Sequence, residues 1–188
     1  MPLKPLKLKE RLDKIKNNPE KIVEYAMNVI KGRWPEAEPV IMKDSRLAFS
    51  YALYVLKHRW PEAEPYIMKD SRLAFYYALH VLKHRWPEAE PYIIKNAYDA
   101  GYYALEVLKQ RWPEAEPKIM KSDHATTYAY RILKGRWPEA EPYIMKNPRL
   151  AYSYAKNVLK RPWPEAEPYI RKNSDSWMMY QYHVLNKQ

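Results

Sequence analysis

An all-α solenoid of about seven stacked helix-turn-helix repeats is the fold this sequence predicts, and three observations carry the prediction. Trp-Pro-Glu-Ala-Glu-Pro begins at Trp34, Trp60, Trp86, Trp112, Trp137 and Trp163, in steps of 26, 26, 26, 25 and 26 residues. Such a period is the length of one supersecondary unit repeated along an array. After each motif an apolar stripe returns at helical spacing, as in Ala74, Tyr77, Ala78, Val81 and Leu82 at i, i+3, i+4, i+7 and i+8. Cap residues stand just before the stripe: Asp44-Ser45, Asp70-Ser71, Asn18-Pro19 and Asn147-Pro148. A right-handed superhelix is the expected coiling.

The chain is expected to form one array over 1–188: a cap helix pair over 1–32, repeat units over 33–172 and a capping helix over 173–188. At the start, a basic amphipathic segment from about Leu3 to Lys16 stands in for the missing first helix of a pair whose second helix runs from Pro19 to Lys31. In the unit Arg59–His84, Pro61 suits a first helical turn, and Glu62 and Glu64 lie at the positive end of the helix dipole. That gives a first helix over about 61–69. Pro65 removes one of its backbone bonds, so a 3₁₀ turn followed by a very short helix is the alternative. The second helix runs from about Ser71 to Lys83. Its Tyr-Ala pair recurs as Tyr25-Ala26, Tyr51-Ala52, Tyr103-Ala104, Tyr128-Ala129 and Tyr154-Ala155, a small residue at a fixed place, as close helix packing requires. In the last unit Ala becomes Gln181, as expected of a terminal cap. Burying one unit's side chains does not offset the entropy of ordering it, so a single unit should not fold.

The chain is 47% hydrophobic and 29% charged, with 18 Tyr and 7 Trp, which excludes wholesale disorder. It has no cysteine, hence neither disulfides nor thiolate metal sites, in keeping with a reducing cytoplasm. Lysines interrupt the apolar residues at the start and no run reaches the ~18 apolar residues of a membrane span, so neither a secretory signal nor a membrane partner is expected. The net charge of +11 raises encounter with acidic partners.

Catalysis is not expected. Paired glutamates such as Glu62 and Glu64 are two residues apart, do not share a helix face, and recur six times, which suits dipole compensation and pairing with Arg59-type arginines. His80 and His84 stand at i and i+4, a spacing that can serve one metal, but no third ligand accompanies them. Three glycines cannot build a phosphate-cradling loop. No cofactor, metal or small-molecule substrate is therefore expected. The tryptophans read as core staples between layers rather than base-stacking platforms.

Positions that change between units while the stripe stays constant mark the candidate binding ribbon: Arg46, Tyr54, Arg72, Tyr76, His80, His84, Tyr98, Tyr102, Glu106, Thr127 and Arg131. Arg72, Tyr76 and His80, at i, i+4 and i+8, lie along one side of a helix. Lysines at Lys57, Lys83, Lys109, Lys134 and Lys160 close the second helices, and Lys43, Lys69, Lys95, Lys121, Lys146 and Lys172 the first. Helix dipoles explain them, and alignment into rails would allow phosphate tracking.

The stretches Lys31-Gly32-Arg33-Trp34 and Lys134-Gly135-Arg136-Trp137, joined to the Tyr-Ala helix, resemble a class of short helical repeats in tailed-phage and related viral reading frames. The likeness covers about residues 19–185, and Arg161-Pro162-Trp163 departs from it. It implies the fold and a viral origin, with no site residues. The leading expectation is a non-enzymatic, TPR-like scaffold that binds a macromolecule, foremost a protein, through the variable ribbon in the cytoplasm. A basic solenoid binding single-stranded or structured nucleic acid is the alternative, and a purely structural spacer or assembly element the third.

Overall fold

The computed structural model describes residues 5–186, and every regular element among them is helical. The chain divides into two compact units, Met1–Ile93 and Ile94–Gln188, each a stack of helix-turn-helix repeats. In the first unit the opening helix Pro5–Ile15 packs beside Pro19–Tyr25, supplying the stand-in first helix; its predicted start at Leu3 lies outside the described residues. Among the described residues there are seven second helices, the last beginning at Ser174.

The first helix of each repeat takes the shorter of the two predicted forms. Pro35–Ala37 makes a 3₁₀ turn and Glu38–Ile41 a single α-turn, and Pro87–Ala89 with Glu90–Ile93 and Pro164–Ala166 with Glu167–Ile170 repeat the pattern. The turn starts where the Ala37 N–H donates to the Trp34 carbonyl at 3.0 Å. The second proline, Pro39, then sits within the first turn of the α-segment, where its missing N–H leaves no gap.

Second helices begin on the predicted caps. Asp44 and Asp70 each accept two backbone N–H groups through Oδ1 at 2.9–3.1 Å, and Asn96 and Asn147 each accept two at 2.9–3.3 Å. Their C-terminal halves differ from expectation. From Ala52, Ala78 and Ala104 onward the helix widens, so that the N–H groups of Lys57, Lys83 and Lys109 donate five residues back, to those alanine carbonyls, at 2.8–2.9 Å. The predicted last helical lysine is thus outside the helix. Lys31, Lys57, Lys83, Lys109, Lys134 and Lys160 all hold φ between 52° and 61°, the left-handed conformation usual for glycine at this place. Gly32 and Gly135 follow such lysines and are not themselves left-handed.

The core is built from the constant positions. Ala48, Tyr51, Ala52, Trp34, Ala37 and Ile41 of one repeat are wholly buried, and the same places are buried in the other repeats except at the ends, where Tyr25 and Trp177 are half-buried and Gln181 is exposed. Within the predicted stripe, Val81 alone is only half-buried.

A left-handed non-glycine residue carries a steric cost of about 1–2 kcal/mol, part of which glycine returns as unfolded-state entropy. Lys109→Gly should therefore raise stability by about 0.5–1 kcal/mol in urea melts, whereas Lys109→Val should lower it.

Candidate functional site

One polar constellation recurs with the repeat and fixes where its faces point. Arg59 donates from Nε and Nη2 to the two carboxylate oxygens of Glu64 at 2.7 and 2.8 Å. The Tyr77 hydroxyl accepts the Trp60 backbone N–H at 2.7 Å and donates to Glu64 Oε1 at 3.2 Å. Equivalent sets join Arg33, Trp34, Glu38 and Tyr51, then Arg111, Trp112, Glu116 and Tyr128, then Arg136, Trp137, Glu141 and Tyr154. Each tyrosine ring also rests on the tryptophan of the following repeat, as Tyr51 on Trp60 and Tyr154 on Trp163, both at 5.2 Å between centroids. Of the twin glutamates, Glu64 is the one that pairs, while Glu62 is exposed. The tryptophans of the motif are at most 4% exposed and belong to the core, as expected.

These bonds set the ionisation of the frame. Burial, opposed only in part by the Trp N–H, pushes Tyr51 and Tyr128 up to about 12, and Tyr77, Tyr154 and Tyr180 move the same way. The Arg111 fork, and after it the Tyr128 hydroxyl, hold Glu116 below its ordinary value against the effect of burial.

Outside this frame lies the variable ribbon. In the first unit Arg46, Tyr54, Arg72, Tyr76, His80 and His84 are all exposed, and Tyr76 stacks on His80 at 5.8 Å with 16° between planes. Successive second helices meet along it, with Phe49 6.5 Å from Tyr76. His84 is drawn away, its Nδ1 donating to the Arg85 carbonyl at 2.7 Å, so the i, i+4 histidines are separately engaged. Among the described residues no group of three metal-ligating side chains gathers. In the second unit Tyr98 and Arg131 are exposed, whereas Tyr102, Glu106 and Thr127 are half-buried. Tyr98 donates to the Tyr102 hydroxyl at 3.3 Å, and Arg131 reaches back one repeat to Glu106 at 2.7 Å.

The 25-residue repeat is where the second unit departs from regularity. Ile67 to Ala74 spans seven steps, but Ile119 to Ala125 only six, so the aspartate cap falls out of register. Ser122 bridges instead, donating to the Ile119 carbonyl at 2.7 Å and accepting the His124 N–H at 3.2 Å, and the helix starts late, at Ala125. His124 thereby turns inward between Tyr98 and Tyr102, at 4.7 and 4.2 Å between centroids. Gly101 makes that room, since a Cβ there would lie 2.6 Å from the imidazole. Burial keeps His124 neutral at physiological pH by lowering its pKa, against a smaller opposite pull from Asp123.

Sequence reading missed the furrows that open between successive second helices at their C-terminal ends. One, of about 430 Å³, is lined by Lys57, His58, Arg59, His80 and Lys83. Two more lie in the second unit: Tyr130, Lys134, Asn157 and Lys160 line one of about 270 Å³, and Tyr130, Lys156, Lys160, Arg161 and His183 line another of about 400 Å³. The left-handed lysines of two adjoining repeats face one furrow in two of these cases. Their recurrence was the signal in the sequence; the conformation that points them there was not legible.

Trp177 was also missed. It stands where the repeats between the ends have Ala48, Ala74, Ala100, Ala125 and Ala151, and it stacks on Tyr180 at 5.6 Å with 23° between planes. The Arg171 guanidinium covers it at 3.7 Å. No family description, curated protein or solved structure matches this chain.

Two outcomes follow from the frame. Tyr77→Phe leaves the Trp60 N–H without its partner and Glu64 Oε1 with the Arg59 bond alone, and should cost about 1–3 kcal/mol in denaturant titrations. Because the folded tyrosines keep their protons to higher pH than unfolded ones, the unfolded chain binds fewer protons above pH ~10, and stability must fall as pH rises. Equilibrium melts should show stability flat to about pH 9, then a drop through about pH 10–12 of roughly 2–3 kcal/mol for each of Tyr51 and Tyr128.

Proposed function

We propose that this chain is a non-enzymatic helical-repeat scaffold that grips an acidic macromolecular partner along the outer face of its second helices. One observation carries the reading: the buried Trp-Tyr-Glu frame, with its arginine in every repeat but the one at Pro162, is kept while the residues exposed beside it change. In repeat arrays such variation alters partner recognition without disturbing the stacking. The net charge of +11 and the cation-lined furrows next to the ribbon favour a partner of opposite sign. An acidic protein and a nucleic acid both meet that description, and the alternative of a bare spacer leaves the exposed aromatic and basic side chains without a role.

The resemblance to tailed-phage repeats adds a viral origin, with work in the host cytoplasm, to the proposal. No helix among the described residues is long and apolar enough to cross a membrane.

Arg72, Tyr76 and His80 are surface residues of one ribbon, so replacing all three by alanine should leave the far-ultraviolet dichroism unchanged. Quantitative capture of the partner by the immobilised chain should fall at least about tenfold, a loss of about 1.4 kcal/mol. Undiminished capture by the triple variant would remove this reading.

A further inference from the structure

We infer that the furrows between successive second helices are phosphate subsites for a single-stranded nucleic acid, an inference that rests on the scaffold reading above and names its partner. The charge balance is the first ground. No carboxylate lines any of the three furrows, and Lys57, Lys83, Lys134 and Lys160 make no ion pair among the described residues. Arg59 is the exception, committed to Glu64 and influenced by Glu88. Two helix C-termini bring together about one negative charge in all. Two lysines outweigh that, and Lys156 and Arg161 add to the surplus in the largest second-unit furrow.

The backbone supplies the second ground. Six lysines hold a conformation that costs a side-chain-bearing residue about 1–2 kcal/mol, at the place where glycine serves helices best. In the first unit and again in the second, that conformation sets the lysines of adjoining repeats on the walls of one furrow. Strain kept at a recurring position argues for a task done by the side chain it carries.

Aromatic faces decide the class of polyanion. Tyr130, 54% exposed, lines both second-unit furrows. His183, on the wall of the larger one, meets the 70%-exposed Tyr182 edge-on at 4.9 Å. In the first unit the stacked Tyr76–His80 pair borders the furrow through His80. Alternating lysines and open rings match a strand whose phosphates sit in furrows while its bases lie on the rings. A run of acidic side chains brings no ring to place there, and a duplex keeps its base faces against each other.

Fluorescence anisotropy with a labelled oligothymidylate of about 30 nucleotides tests this, run beside a duplex of equal length and poly-glutamate. The single strand should bind tightest, with log K falling linearly in log salt. Lys134→Asn with Lys160→Asn, a change the left-handed backbone accepts, should flatten that slope by about 1.4, at ~0.7 for each phosphate no longer neutralised. Tyr130→Ala should weaken binding at least about fivefold with the slope unchanged. Preference for the duplex, or a slope untouched by the lysine changes, would overturn the inference. Binding of poly-glutamate without binding of oligothymidylate would overturn it while leaving the scaffold reading standing.

Discussion

The shared tyrosine hydroxyl is the bond on which each repeat depends. Through it the backbone N–H of a tryptophan, the start of the first helix and a buried glutamate are held by a residue of the second helix. The same ring then supports the tryptophan of the next repeat, so one side chain closes its own hairpin and seats its neighbour. A hydroxyl suits this place because it both accepts and donates. The arrangement also explains why a carboxylate survives at 6–8% exposure in Glu38, Glu64, Glu116 and Glu141: the arginine fork and the tyrosine supply the hydrogen bonds that water would otherwise give. Where Pro162 replaces the arginine the carboxylate responds. Glu167 still accepts the Tyr180 hydroxyl at 3.2 Å, but its side chain is 24% exposed and the guanidinium it meets is that of Arg171, at 3.8 Å.

Periodic features were open to sequence reading because each is a spacing rule. The tryptophan period gave the repeat, the stripe gave the second helix, and Asp70-type caps gave its start. What stayed hidden depends on backbone choices that side-chain identity does not advertise. Lysine has no preference for a left-handed backbone, so nothing at Lys57 or Lys83 announces that the helix has widened and ended one residue earlier. Glycine misleads here, since Gly32 and Gly135 sit one place beyond the residues that take the conformation glycine usually provides. The candidate ribbon was legible as variation, but its half-buried members were not. Tyr102 and Glu106 are covered by His124 and Arg131, pairings that exist only because neighbouring repeats differ.

The short repeat shows how the array absorbs an irregularity. Losing one residue removes the aspartate cap and shortens the α-helical part to Ala125–Tyr128, yet Tyr128 still meets the Trp112 N–H at 2.8 Å. The frame is kept and the displaced segment accommodates the change, with His124 entering a hole that Gly101 leaves. Neither substitution is tolerable without the other: a Cβ on residue 101 collides with the imidazole, and removing the imidazole opens a cavity beside Tyr98 and Tyr102.

Stability and use pull in different directions at the helix ends. A glycine in place of each left-handed lysine would relieve backbone strain six times over, and the chain places glycine next to two of those lysines without using it there. Dipole compensation alone does not explain this, because a lysine one turn earlier would meet the same carbonyls from an unstrained helical backbone. Position is what differs: Lys57 with Lys83, and Lys134 with Lys160, stand in this conformation on the walls of a furrow shared with the adjoining repeat. A surface that must present cations at regular intervals is one for which that position is worth its cost, and a structural spacer has no such need.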